Sequence, residues 1–262
     1  MNTPNKKPKK EFTVDQKINR RNFISFTSFA VLTGAAYEGW RWLYKSPQET
    51  TGITAGARKP LRKALNQTEL FFKKVFSDGH LVKTYPKLMA AKQVRVNSDI
   101  GIEATNKFNV ADWKLQVIKK PGDILLVTLQ ELMALPKTEI IYDFKCVEGW
   151  DQISHWGGVK FSDFIKHYQL ESYTKMDYVG METPDKTYYV GLDMPSAMHP
   201  QTLLAYEVND KLLPLEHGAP LRLIIPVKYG IKNLKRVGSL SFNNTRPRDY
   251  WAEQGYDYYS GL

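Results

Sequence analysis

Glu139-Ile140-Ile141-Tyr142-Asp143-Phe144-Lys145-Cys146-Val147-Glu148-Gly149-Trp150 is the stretch that decides the predicted fold. Its first six residues combine β-branched and aromatic side chains, which predicts a strand that ends just before Cys146. A side chain where a strand meets a loop is held in position by the scaffold and can still reach a ligand. The stretch therefore predicts a sheet that carries the only cysteine of the chain to a functional site.

Weaker patterns on either side predict further strands and helices. Thr128, with Glu131 three positions later, is typical of a helix N-terminus. Gly157-Gly158 is predicted to form a tight turn, and Ser162 to cap a helix. Because strands and helices mix without a βαβ repeat, the predicted fold class is α+β. The other predicted elements are a helix over 61–76, strands at 113–118, 178–181, 186–192, 221–227 and 237–242, and a hairpin over 203–214 that turns at Asn209-Asp210.

The charge and the cysteine count exclude several classes of function. The net charge is +10, but the first 21 residues hold seven basic and two acidic side chains, which is half of the excess. The basic character is therefore largely that of a tail, and no nucleic-acid partner is predicted. A single cysteine excludes an internal disulfide and a cysteine-ligated iron–sulfur cluster, and no CxxCH motif for c-type haem is present.

The first 45 residues have the composition of an export signal. The pair Arg20-Arg21 precedes Phe23, and the next charged residue is Glu38. A basic segment followed by a short apolar one is typical of a secretory signal, and paired arginines indicate the twin-arginine type. That route suits an enzyme that must receive a cofactor in the cytoplasm before export. The alternative is a basic tail that continues into an ordinary buried helix.

The end of this segment is also compatible with a membrane anchor. Trp40-Arg41-Trp42-Leu43-Tyr44-Lys45 interleaves aromatic and basic side chains, as at a membrane interface. We therefore predict that residues 1–45 are a cleaved twin-arginine signal or an uncleaved anchor. Either one places the protein in the periplasm or on the outer side of the cytoplasmic membrane.

Three clusters are candidates for chemistry. Cys146 offers a soft thiolate ligand, which the adjacent Lys145 would favour, although a lone cysteine is more often a packed core residue. The segment 216–222 holds His217, Gly218 and Arg222, which suit an anion cradle but equally a capped turn before a strand. The three lysines within 228–235 belong either to a solvent-exposed basic loop or to a loop that closes over a phosphate bound by segment 216–222.

The order of several motifs makes the resemblance specific. The chain closely resembles the sulfite oxidase family of molybdopterin enzymes, and within it the branch of the bacterial protein-methionine-sulfoxide reductase catalytic subunit. The resemblance covers residues 95–262, so the predicted domains are the 1–45 segment, a linker and helical segment at 46–94, and a molybdopterin-binding domain with mixed sheets and peripheral helices. The motifs are Cys146-Val147-Glu148-Gly149-Trp150, Trp156-Gly157-Gly158-Val159, Met198-His199-Pro200, Leu203-Leu204-Ala205-Tyr206-Glu207, His217-Gly218-Ala219-Pro220-Leu221-Arg222, Lys228-Tyr229-Gly230 with Lys235, and Tyr250-Trp251.

The resemblance implies a cofactor and the residues that hold it. Molybdenum on a pterin would be ligated by the thiolate of Cys146, which is also the implied catalytic residue. By position, the residues that would contact the pterin are Asn106, Asn109, Val110, Thr183, His217, Arg222, Asn233, Leu234 and Lys235.

The resemblance also implies a reaction and partners. It implies oxygen-atom transfer, and we expect reduction of an S- or N-oxide, carried by a small molecule or a protein, with electrons from a membrane-bound cytochrome. Sulfite oxidation is the alternative, since His217 resembles that branch, but Val147-Glu148-Gly149-Trp150 occupies the stretch where sulfite oxidases carry substrate arginines.

Two readings of another class stay open at this point. One is a cysteine hydrolase or transferase in which His155 or His217 activates Cys146. The other is a non-catalytic binding protein that kept the fold and lost the cofactor.

Overall fold

The computed structural model describes residues 12–47, 58–75, 79–97 and 108–261. The chain begins with two helices, α1 (Val14–Lys45) and α2 (Lys59–Val75). Thr13 starts α1 with a capping box to Gln16, and no side chain of α1 is buried. Among the described residues, no helix combines the length and the apolar character that a membrane crossing requires. These helices precede a body built from two sheets.

The first sheet has five strands in the order β2-β1-β10-β5-β6. Its strands pair antiparallel except for β1 and β10, which run parallel. The parallel pair brings the carboxyl-terminal part of the chain beside the first strand of the body. The bounds are β1 (Leu115–Lys120), β2 (Asp123–Val127), β5 (Tyr178–Glu182), β6 (Tyr189–Asp193) and β10 (Ser239–Asn243).

The second sheet carries the decisive stretch. Its order is β3-β4-β7-β8, and β9 pairs with the other part of β7. All of its pairs are antiparallel, and the short loop from β3 to β4 contains Cys146. The bounds are β3 (Thr138–Lys145), β4 (Asp151–Lys160), β7 (Leu203–Val208), β8 (Lys211–Leu212) and β9 (Arg222–Ile224).

Short helices connect and cover the sheets. The α-helices are α3 (Leu129–Met133), α4 (Phe161–His167), α5 (Met194–Ala197) and α6 (Tyr250–Glu253), and the 3-10 helices are Lys87–Met89, Val110–Asp112, Glu171–Lys175, Leu215–His217 and Gly230–Lys232. The larger hydrophobic core includes side chains of all five strands of the first sheet. A smaller core lies on one face of the second sheet, where Ile140, Tyr142 and Phe144 of β3 point inward with Trp156 of β4.

The α+β class is confirmed, and several local predictions are confirmed with it. The predicted strand before Cys146 is β3, and Thr128 and Glu131 form a reciprocal capping box at the start of α3. The hairpin between β7 and β8 turns at Asn209-Asp210, where both residues have positive φ angles of 50° and 62°. Local patterns were sufficient in these cases because each element depends on neighbours in the sequence.

Three local predictions are wrong. Gly157-Gly158 lies inside β4, where the pairing with β7 shifts register, and does not form a turn. Ser162 lies inside α4, whose preceding residue Lys160 makes no side-chain cap. The strand predicted over 221–227 is shortened to β9, since the Asn233 side chain takes up the next backbone N–H, that of Ile225.

The close packing at Gly158 yields a stability prediction. A Cβ on Gly158 would lie 2.2 Å from the carbonyl oxygen of Leu204 and 2.6 Å from the Cα of Ala205. Because β4 is held between β3 and β7, the backbone cannot yield, and we expect Gly158→Ala to lower the free energy of unfolding by about 3 kcal/mol. Urea unfolding followed by circular dichroism measures it.

Gly157→Ala is the matched control for this prediction. Its Cβ would meet the side chains of Glu207, at 3.0 Å, and Lys137, at 3.1 Å, and the ends of these side chains can move. We expect a much smaller loss of stability from this change. Equal losses in the two variants would contradict the argument from backbone contact.

Candidate functional site

Cys146 is the first residue after β3 and is held by the turn that follows. Its N–H donates to the carbonyl oxygen of Trp150 at 2.9 Å, and its own carbonyl accepts from the N–H of Gly149 at 3.1 Å. Gly149 has a φ of 84°, a left-handed conformation that suits glycine and lets the turn close. The side chain of Cys146 is 7% exposed, so the turn presents a buried thiol.

Burial raises the pKa of the Cys146 thiol, and the backbone N–H groups of Glu148 and Val147 offset this only in part. The prediction that Lys145 favours the thiolate is wrong, since its ammonium group donates to the Asp143 carboxylate at 2.6 Å. A buried thiol with a raised pKa is a poor free nucleophile. It becomes a thiolate when a metal ion compensates the negative charge.

Arg222, the first residue of β9, is a buried cation in an aromatic cage. Its side chain is 1% exposed, and its guanidinium lies 4.6 Å from the ring centre of Trp156 and 5.5 Å from that of Phe144. Nη2 donates to Oδ1 of Asn97 at 2.9 Å. Nε and Nη1 are buried and find no hydrogen-bond partner in the described part of the chain.

Among the residues that the structure describes, no carboxylate compensates the charge of Arg222. Burial lowers its pKa to about 10, and the groups that oppose this shift are Tyr142, Tyr188 and Cys146. The guanidinium therefore stays charged at neutral pH and lies within electrostatic reach of the cysteine. A buried guanidinium with two unused donors calls for an anionic ligand. This geometry fits a phosphate-bearing group better than it fits an empty core.

His217 and Lys235 complete the group of nitrogen-bearing side chains around Arg222. The His217 ring meets Trp156 edge-on, with ring centres 6.0 Å apart, and its Nδ1 is buried without a partner among the described residues. Burial, then Arg222, then Lys235 lower the pKa of His217 to about 4. The Lys235 side chain is buried, and its ammonium group donates to the carbonyl oxygen of Asn97.

Gly218 allows two predicted cofactor segments to touch. Its φ is 93°, and an added Cβ would lie 2.7 Å from the backbone nitrogen of Arg236 and 2.9 Å from the Cα of Lys235. Arg222 also forms an isolated β-bridge with Lys235. The close approach at this glycine joins segment 217–222 to segment 233–236.

Asn233 and Leu234 shape and anchor the 233–235 segment. Asn233 accepts from the N–H of Ile225 at 2.8 Å and donates to the carbonyl oxygen of Tyr229 at 3.1 Å, so it shapes the loop. Leu234 is fully buried in the larger core. Their side chains position Lys235, and any contact they make with a ligand would be through the backbone.

The remaining predicted residues lie at a second end of the site. Thr183, at the end of β5, donates to Asp185 at 2.6 Å, and Asn109 starts the 3-10 helix that begins with Val110. Thr183 and Asn109 line one cavity of about 380 Å³, together with Phe108. Asn106 lies outside the described residues. The predicted residues thus form two groups, one around Cys146 and one around Thr183.

The lysines of the 228–235 segment do not form a solvated loop. Lys228 is buried with Asp193 at 3.8 Å, and Lys232 is buried against the Asp249 carboxylate and donates to the carbonyl oxygen of Gly191 at 3.0 Å. These pairs fasten the loop to the body. Of the three lysines, only Lys235 joins the group around Arg222.

Sequence reasoning missed the residues that hold Arg222. Asn97 carries no motif, and it accepts hydrogen bonds from Arg222 and Lys235, which lie 125 and 138 positions later in the chain. Phe144 and Trp156 looked like ordinary core residues of a sheet. The available signal was their alternation with Cys146 along one face of β3 and β4.

Activation of the Cys146 thiol by His155 finds no support. His155 pairs with Ile141 across the β3–β4 hairpin, five residues before Cys146, which corresponds to about 17 Å along a strand. Its Nε2 lies 3.3 Å from the Glu139 carboxylate. This placement, with the raised pKa of the thiol, argues against a cysteine hydrolase that uses His155 as its base.

The environment of His217 yields a prediction on protonation. Because burial and two neighbouring cations disfavour its charged form, we expect the imidazole of cofactor-free protein to stay neutral between about pH 5 and pH 8 and to gain a proton only near pH 4. Proton NMR of the imidazole C–H signals tests this, with His217→Asn to assign the resonance. A midpoint at the ordinary value of 6.5 would refute the described burial.

Comparison with known proteins agrees with this geometry. The family model described as the oxidoreductase molybdopterin binding domain matches residues 102–251. A protein of Azospira oryzae that carries the name of a protein-methionine-sulfoxide reductase subunit, YedZ1, is 34% identical over 71% of this chain and 70% of its own length. The protein-methionine-sulfoxide reductase catalytic subunit MsrP of Campylobacter jejuni is 31% identical over 62% of this chain and 60% of its own.

Among solved structures, the sulfane dehydrogenase SoxCD from Paracoccus pantotrophus is a weak match. It is 20% identical, with a TM-score of 0.47, over 53% of this chain and 40% of that one. The family model and the sequence identities are sufficient without it: the chain belongs to the sulfite oxidase family of molybdopterin-binding oxidoreductases.

Proposed function

We propose that this protein is an exported reductase that removes the oxygen atom from an S-oxide, with methionine sulfoxide in proteins as the first candidate substrate and N-oxides as the second. The observation that carries the cofactor part is the buried Arg222, which lies within electrostatic reach of Cys146 and has two donors without a hydrogen-bond partner among residues 12–47, 58–75, 79–97 and 108–261. The names of the relatives support the substrate.

The residues have distinct roles in holding the cofactor. Cys146 ligates molybdenum through its thiolate, and Arg222 and Lys235 bind the anionic part of the pterin cofactor. His217, neutral at pH 7, offers one ring N–H or one acceptor to its polar edge. The bound molybdenum supplies a two-electron exchange coupled to oxygen-atom transfer. Phe144 and Trp156 keep water from the guanidinium side of the site.

The loop beside Cys146 favours a neutral oxide over sulfite. Glu148 contributes a negative charge and accepts a hydrogen bond from the Trp150 indole at 2.8 Å. On the same surface, the guanidinium of Arg95 lies 4.6 Å from the ring centre of Trp150. A dianion would be repelled by Glu148, whereas a sulfoxide or N-oxide carries no net charge.

The electrons must reach the site from outside the chain. One cysteine leaves no ligand set for an iron–sulfur cluster, and no haem-attachment motif is present. The name of the Campylobacter relative as a catalytic subunit supports a second subunit. We propose a membrane-bound cytochrome as the electron donor.

We propose export through the twin-arginine route, and the sequence and exposure of helix α1 support it. Arg20-Arg21 lies in α1, and the exposed Trp40 and Trp42 lie near its other end. A helix with no buried side chain is available to an export receptor or to a membrane interface.

Replacing the cysteine tests the cofactor and the reaction together. We expect Cys146→Ala to reduce molybdenum content to background and sulfoxide turnover by more than about 100-fold, because the metal loses its thiolate ligand. Molybdenum is measured by mass spectrometry on protein made in a cofactor-producing host. Turnover is measured with methionine sulfoxide, free and in a protein, and with trimethylamine N-oxide, using a reduced viologen dye.

Val147→Ala is the matched control, since Val147 is the next residue of the same turn and is 37% exposed. It is expected to retain metal and activity. Wild-type protein without molybdenum would overturn the cofactor assignment. Molybdenum-loaded protein that oxidises sulfite and leaves sulfoxides and N-oxides unreduced would overturn the reductase proposal.

Replacing both arginines of the pair tests export. We expect Arg20→Lys with Arg21→Lys to leave most of the protein in the cytoplasm, because the twin-arginine route reads the pair. Cell fractionation and immunoblotting of the full chain measure the distribution. Arg41→Lys, in the same helix, is expected to leave export intact, and undiminished export of the double variant would refute the route.

A further inference from the structure

A second buried guanidinium, that of Arg236, lies beside the predicted cofactor residues. Arg236 follows Lys235 directly and is 3% exposed. Its φ of 61° is a left-handed conformation that a side chain rarely adopts. The surrounding structure therefore holds this residue in place at an energetic cost, as is common at functional sites.

The contacts of Arg236 leave one donor unused. Its Nε donates to the carbonyl oxygen of Ala219 at 2.9 Å, and its guanidinium carbon lies 3.9 Å from the ring centre of Phe108. Nη2 is buried and has no hydrogen-bond partner among the described residues. Burial lowers the pKa of Arg236, and the Asp185 carboxylate opposes this shift. The same carboxylate accepts hydrogen bonds from the hydroxyl groups of Thr183 and Thr187.

The position of Arg236 connects the two groups of the site. On one side, its backbone lies against Gly218, and its Nε reaches Ala219 in the segment of His217 and Arg222. On the other side, Phe108 lines the cavity of about 380 Å³ at the Thr183 end. Lys114 and Lys186 line this cavity together with Asp112, so its lining has two ammonium groups against one carboxylate and can donate to an oxygen acceptor.

We propose that Arg236 is a positioning residue for the pterin cofactor, in which Nη2 donates to an oxygen acceptor of the cofactor at the Thr183 end. Arg222 holds the opposite, Cys146 end. Two guanidinium groups at separate ends fix the tilt of a flat ligand, which a single cationic group would leave free to rotate. The proposal rests on cofactor binding and holds whichever oxide is the substrate.

Three replacements of Arg236 test the proposal in the holoenzyme. None introduces glycine, so each keeps a side chain at the left-handed backbone position. Arg236→Met removes charge and donor, and we expect it to lose cofactor on dialysis about tenfold faster than wild type, as the loss of one charge-assisted hydrogen bond predicts. Molybdenum per chain and the fluorescence of the released pterin measure the loss.

A spectroscopic readout separates positioning from general stability. We expect Arg236→Met to shift the Mo(V) electron paramagnetic resonance spectrum and the midpoint potential, because a tilted pterin changes the molybdenum environment. Arg236→Lys keeps the charge, and Arg236→Gln keeps a neutral donor. Restoration by glutamine identifies a neutral ring oxygen at the Thr183 end, as expected when Arg222 and Lys235 hold the anionic part of the cofactor. Restoration by lysine alone identifies an anionic acceptor at Arg236 and moves the phosphate to this end.

Arg248→Met is the matched control. Arg248 is an exposed arginine that pairs with Glu253 at 2.7 Å and does not line the cavity at the Thr183 end. It is expected to keep cofactor retention and the spectrum of the wild type. The proposal is overturned when Arg236→Met retains cofactor and spectrum like this control, or when it lowers thermal stability alone. A molybdenum-free wild type would instead count against the cofactor assignment itself.

Discussion

The site depends on a positive charge that the fold holds away from water. Arg222 lies in a cage of Phe144 and Trp156 and uses one of its nitrogens on Asn97. Isolated burial of a charge is costly, and an anionic ligand would lower that cost. The β3–β4 hairpin supplies both the aromatic cage and Cys146, which is why the proposed metal ligand and the cation lie together.

The loops around this cation are held by contacts that leave little freedom. Gly218 permits the backbone of segment 217–222 to touch that of 235–236, and Asn233 closes the loop between β9 and Lys235. The paired lysines of the same loop fasten it to the body. A preorganised set of donors binds a ligand without spending free energy on ordering it.

Local sequence patterns predicted the parts of the structure that depend on sequence neighbours. β3, the α3 capping box and the Asn209-Asp210 turn were all visible, since each follows from residues a few positions apart. Cys146 and the basic residues at 217, 222 and 235 were found through the ordered motifs, and the structure brings them together. Their assignment as cofactor ligands stays a prediction.

Long-range contacts and burial could not be read from the sequence in the same way. Asn97 has no recognisable signal, and its role comes from residues more than 120 positions away. The lysines at 228 and 232 looked solvated because their partners, Asp193 and Asp249, are distant in the chain. Lys145 pairs with Asp143, and burial raises the pKa of the Cys146 thiol instead of the lysine lowering it.

The separation between Asn97 and its two partners has a consequence for biosynthesis. Contacts that span 125 and 138 residues close large loops of the chain, and they form late in folding because the entropic cost of closure is met only when the intervening structure is in place. A ribosome-bound chain that still lacks Arg222 and Lys235 cannot build the cationic pocket. A cofactor that binds there would therefore enter only after most of the body has been synthesised.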